Sequence, residues 1–228
     1  FKNLHNSDKC DYFFHSWEGL LGHPFNSSGS QMYHPVATAH WLKELNAVSK
    51  LRIVVSIRKQ SDLVEAMYAQ EVRKGRTSSG IDKYVSENLP KDLSWAKVIQ
   101  PIEHALGKEK VKVVPYEWTK NDNDLFLKSI FDGVLDVAQI NTDLHSNPSY
   151  SHVAVEVSRL ASLYLDKKDI PKLENFLSKN FSNLTHRRSE FLNNELIKKI
   201  NDRCTARDET YFNRFFPHLG LDKLGYFE

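Results

Sequence analysis

The sequence is short of cysteine: 228 residues carry only Cys10 and Cys204. Two thiols build no disulfide framework, and the expectation is unbridged cysteines in a reducing, cytoplasmic setting. No apolar run approaches the ~18 residues that a membrane-spanning helix needs, and no secretory leader is visible. An excess of one charge is missing too. Against 31 basic residues stand 29 acidic ones, a net of +2, so nucleic-acid binding by bulk charge is not expected and any anion site must be local. Ten histidines are present, yet neither an H-E-x-x-H pair nor a Cys/His cluster occurs, which argues against a resident metal. The chain also has no G-x-S-x-G elbow for a serine nucleophile, and no G-x-x-x-x-G-K-[ST] or G-x-G-x-x-G loop for phosphate.

What is present is a chain with 40% apolar residues, enough for a sizeable core in one domain spanning residues 1–228. The stretch from Lys50 to Gln70 organises it. Ile53 to Ile57 is a β-branched apolar run too short for a helix, and it reads as a strand buried on both faces. Arg58 and Lys59 stop the run, and Ser61 offers an oxygen at an N-cap position. Leu63 with Met67, and Val64 with Tyr68 and Val72, then recur at helical spacing. The unit is strand, basic tip, helix. In open α/β sheets, ligands gather at the carboxyl ends of strands, where helix N-termini favour anions.

Two further strands are expected, over Asp11–Ser16 and Lys110–Val114. Helices are expected over Pro35–Val48, over Ile81–Asn88, and from Trp95 to Leu106 with a kink or split at Pro101. More follow over Asp122–Gly133, from Val153 to Tyr164, over Pro171–Phe181, and in one long run opened by Arg187-Arg188-Ser189 and ended by Phe215-Phe216-Pro217. In the Val153 run, Val153, Val157, Leu160, Ala161 and Tyr164 share a side. Strands separated by helical material argue for an α/β fold with a parallel sheet and a helix-rich C-terminal half.

Arg58 is the leading candidate, because a guanidinium at a strand end can grip a phosphate bidentately; the competing reading is a surface arginine paired with Asp62 or Glu65. His15 and Glu18, near the tip of the first expected strand, are candidate general bases. Their competing readings are a backbone-satisfied strand histidine and a solvated loop carboxylate. The patch of Arg73, Lys74 and Arg76 reads as a solvated helix end.

The order of these pieces resembles the sulfotransferases that use 3'-phosphoadenosine 5'-phosphosulfate, in particular the bacterial type. Ile53 to Arg58 with Lys59-Gln60-Ser61-Asp62 is similar to that family's strand, Arg and helix, and Tyr68 and Gln70 fit the helix. Ser16-Trp17-Glu18-Gly19-Leu20 resembles its Ser-x-Glu-x-Leu segment, Val111 to Glu117 its strand and Pro-Tyr-Glu passage, and Asn147-Pro148-Ser149 its Asn-x-Ser segment. The resemblance implies a P-loop-like α/β fold and transfer of a sulfuryl group from that donor, the co-substrate, to a hydroxyl or amine of a carbohydrate or small molecule. It implies that Arg58, with Lys59 and Ser61 beside it, holds the donor's 3'-phosphate, and that Glu18 or His15 takes the acceptor's proton. Ala66 stands where the family has a phosphate-binding Ser. Residues 1–10 hold no Gly- and Lys-containing 5'-phosphosulfate loop, so an N-terminally incomplete domain is expected. The alternative from another class is a non-catalytic, sulfotransferase-like module that binds a nucleotide or glycan.

Overall fold

The computed structural model describes residues 12–17, 19–25, 31–136 and 149–227. Among them lie α1 (Pro35–Val48), β1 (Ile53–Ile57), α2 (Gln60–Arg73), α3 (Ile81–Asn88), α4 (Trp95–Leu106) and β2 (Val111–Pro115). Then come α5 (Trp118–Asn121), α6 (Asn123–Phe131), α7 (His152–Ala161), α8 (Ile170–Asn180), α9 (Asn194–Asn201) and α10 (Thr205–Phe215). The architecture is mixed α/β and mostly helical. β1 and β2 pair in parallel with Ile53 opposite Val111 and Ile57 opposite Pro115. The connection between them runs through α2, α3 and α4, a length of chain that parallel pairing requires.

The core forms where these helices close on the sheet. Val55 and Ile57 of β1, Val111 and Val113 of β2, and Val98, Ile99, Ile102 and Leu106 of α4 are buried together with Leu42 of α1 and Val64, Tyr68 and Val72 of α2. α1 packs most extensively on α4. Ser94 caps α4, its Oγ accepting from Lys97 N at 3.3 Å. α4 is one helix through Pro101, so the proline does not split it. A proline inside a helix costs about 3 kcal/mol, and the buried row of Val98, Ile99, Ile102 and Leu106 outweighs it.

Several expectations are corrected. Residues 12–17 form no strand: they are exposed and irregular, with Phe14 resting on Phe131 and Trp17 on Trp41. β1 is buried on one face only, since Ser56 is exposed and Val54 half-exposed. Ser61 lies inside the first turn of α2, and the N-cap is Lys59, without a side-chain cap. α7 turns its other side inward. Ala154, Val155 and Ser158 are buried, while Val153, Val157 and Leu160 are exposed and Tyr164 is 88% exposed. Small side chains let α7 approach α2 closely, and Ser158 Oγ donates to Val72 O at 3.3 Å. The long C-terminal helix is two: residues 187–193 are irregular, Asn193 caps α9 by accepting from Leu196 N at 2.9 Å, and the chain turns at Asp202–Cys204 before α10.

Candidate functional site

The register of the two strands places Arg58 and Lys59 beside Tyr116 and Glu117, just past the carboxyl ends of β1 and β2. Backbone and side chains fix this tip. Tyr116 N donates to Ile57 O at 2.7 Å, Lys59 N donates to Glu117 Oε1 at 3.0 Å, and the indole Nε1 of Trp95 donates to Arg58 O at 2.7 Å. The buried Tyr226 hydroxyl sits between Ile57 O (3.1 Å) and the Glu117 carboxylate. Burial, and then the negative charge of Glu117, push the Tyr226 pKa far up, so the phenol keeps its proton and donates it.

The Arg58 guanidinium itself is not consumed by this network. It lies over the Tyr116 ring, 5.0 Å from the centroid. Its Nε is buried without a hydrogen-bond partner among the described residues, and no ion pair to Asp62 or Glu65 forms. A buried donor left unmet costs about 1–3 kcal/mol, a penalty that a bound oxyanion would remove. The first amides of α2, at Gln60, Ser61 and Asp62, precede the first intrahelical bond, Leu63 N to Lys59 O at 2.9 Å. These N–H groups carry the positive end of the helix dipole.

Two more cations come near from distant parts of the chain. Lys120 of α5 has its ammonium pushed below the ordinary range, first by local burial and then by the charges of Arg188 and Arg58, with Asp62 and Glu117 pulling the other way. Arg188 also faces Glu65, whose carboxyl burial raises, against the opposing pull of the Phe191 N–H it accepts. Lys120 thus feels Arg58 and Arg188 on one side of the balance and Asp62 and Glu117 on the other, while Arg188 and Asp62 act on Glu65. Glu117 is engaged by Lys59 N and Tyr226, and Glu65 by the Phe191 amide. Among the described residues, no hydrogen bond ties Asp62 in the same way.

The structure brings Arg58 and Lys59 to one tip, with the Ser61 amide in the adjoining helix turn, while the Ser61 side chain is buried. Tyr68 is a core residue, its hydroxyl donating to Ser79 O at 3.0 Å. His15 is exposed, its ring stacked 6.2 Å from Phe13 and edge-on to Trp17 at 6.1 Å, and no described contact joins it to Arg58. Glu18 and Asn147-Pro148 lie outside the described residues. Lys120, Arg188 and the tethering roles of Glu117, Trp95 and Tyr226 were not evident from sequence. The Pro-Tyr-Glu passage after β2 was the one local sign that this strand end mattered.

No family model, no curated protein and no solved structure matches this chain. No helix among the described residues is long and apolar enough to cross a membrane.

Proposed function

We propose that the protein is a sulfotransferase-like nucleotide-binding protein, with the strand tip beyond β1 and β2 (the crevice in this reading) taking the 3'-phosphate of 3'-phosphoadenosine 5'-phosphosulfate. The observation that carries the reading is the half-buried Arg58, whose Nε has no partner among the described residues, with Lys120 within electrostatic reach of it. A phosphate dianion suits such a group, since guanidinium and ammonium donors make charge-assisted bonds to it. The strand, Arg and helix order and the Pro-Tyr-Glu passage support the sulfuryl donor over other phosphate compounds. In this reading β1 and β2 are strands of a P-loop-like parallel sheet.

The transfer is an in-line displacement. A hydroxyl or amine of a carbohydrate or small molecule forms a bond to sulfur, the bridging S–O bond breaks, and adenosine 3',5'-bisphosphate leaves with the bond's electron pair. The acceptor's proton goes to Glu18 or His15. Positioning and charge carry such reactions, without a covalent enzyme intermediate.

A non-catalytic binding module is the second reading, and what favours it is that no contact among the described residues joins the exposed His15 to the Arg58 tip. Two assays separate the readings. Release of the bisphosphate from the donor in the presence of mixed carbohydrate and phenolic acceptors supports the enzyme. Binding of adenosine 3',5'-bisphosphate without turnover supports the module, and no binding at all defeats both.

A further inference from the structure

A saturated polar centre adjoins the strand tip. Asp208 of α10 is buried, and its carboxylate accepts four hydrogen bonds. Oδ1 takes Ser94 Oγ (2.6 Å) and Ala96 N (2.9 Å), and Oδ2 takes Trp95 N (3.0 Å) and Gln60 Nε2 (2.7 Å). Three of these donors open α4. The fourth belongs to Gln60, the first residue of α2, two places after Arg58. Trp95 closes the circuit, because its indole holds the Arg58 carbonyl at 2.7 Å. One carboxylate therefore fixes the tip from both sides, through Gln60 along the chain and through Trp95 across space.

We propose that Asp208 is a positioning residue for the anion site: its ionised carboxylate holds Gln60 and Trp95 so that Arg58 faces the crevice. The inference rests on the reading of that crevice as an anion site, and it concerns the site's regulation by a group that never touches the ligand. Burial pushes the Asp208 carboxyl up to about 6, outweighing the Ser94, Ala96 and Trp95 donors that pull it down, with the Asp92 charge a further small push upward. Asp92 is itself paired with Lys97 and Arg207. Tyr211 on the same helix and Glu103 on α4 are the other titratable groups close by. Protonation converts charge-assisted bonds to Gln60 and Trp95 into weaker neutral ones.

Charge alone makes the opposite forecast, which gives the test its sharpness. Removing a negative charge near an anion site strengthens anion binding, whereas losing the tether weakens it. Sulfate is the probe, because it stays a dianion through the range in which Asp208 titrates. Wild-type affinity for sulfate, followed by calorimetry from about pH 8 to about pH 5, is expected to fall severalfold with a midpoint near 6. Asp208→Asn is expected to bind about tenfold more weakly at pH 8 and to lose that step. Ser94→Ala removes a donor that lowers the Asp208 pKa, so the step moves to higher pH, a displacement that generally loosened packing would not produce. Circular dichroism checks each variant's fold; if Asp208→Asn does not fold, the wild-type and Ser94→Ala profiles decide. Sulfate affinity that rises or stays level towards pH 5, or an undiminished affinity in folded Asp208→Asn, overturns the positioning role while leaving the anion site intact. Absence of sulfate binding in the wild type at every pH overturns the anion site and the positioning role with it.

Discussion

Arg58 and Asp208 are buried or half-buried charges joined through the same few residues, yet they are treated oppositely. Asp208 has donors on both oxygens from the starts of two helices, whereas Arg58 has a buried Nε with no partner among the described residues and an aromatic face beneath its guanidinium. A buried charge with its hydrogen bonds complete holds elements together. One with its hydrogen bonds incomplete adjoins a place where a ligand can complete them. The difference separates the centre that builds the tip from the centre that uses it.

Breaking the comparison at its saturated end gives the largest effect. Asp208→Ala leaves four donors without their acceptor, and it is expected to lower unfolding stability by about 3 kcal/mol or more, read from denaturant midpoints at neutral pH. The ionisation of Asp208 sharpens this. Its folded-state pKa of about 6 lies above the ordinary carboxylate value, so between the two the native state holds a proton that the unfolded state releases. Stability therefore falls as pH rises through that window, by on the order of 2–3 kcal/mol, and Asp208→Asn flattens the slope.

At the unsaturated end, Arg58→Ala is expected to reduce affinity for adenosine 3',5'-bisphosphate by about tenfold or more. Removing the unmet Nε offsets the lost contact with Tyr116, so stability should fall by no more than about 1 kcal/mol, which denaturant titration checks. Tyr226→Phe removes the hydroxyl between Ile57 O and Glu117 and should cost about 1 kcal/mol of stability. The smallest effects are expected at the outlying cations. Lys120→Ala or Arg188→Ala should each weaken bisphosphate binding about threefold and reduce its salt dependence, since exposed charges act mainly through a screened field.

The parts of the fold legible in the sequence were those with local causes. The run Ile53–Ile57, the helix Pro35–Val48 and the helix Ile81–Asn88 have the expected bounds because spacing, a proline at N1 and flanking turns specify them within a few residues. Arg58 was legible for the same reason: it ends a strand and precedes a helix. The packing side of α7 was not legible because its stripe of Val153, Val157 and Leu160 is more apolar than the Ala154 and Ser158 side that packs, and close approach to α2 depended on side-chain size rather than hydrophobicity. The division between α9 and α10 was hidden by a nearly continuous helical rhythm from Leu196 to Tyr211. The tethers of the site were out of reach altogether. Gln60 and Asp208 are 148 residues apart, and Lys59 and Glu117 are 58 apart, so no local pattern announces either pair.

The claim on which the rest depends is that the Arg58 crevice holds a phosphate, and calorimetric titration of wild type and Arg58→Ala with adenosine 3',5'-bisphosphate tests it most directly. The account predicts saturable binding to the wild type and a loss of about tenfold or more in the variant. Equal affinity in the two proteins, or no binding to the wild type, would contradict it.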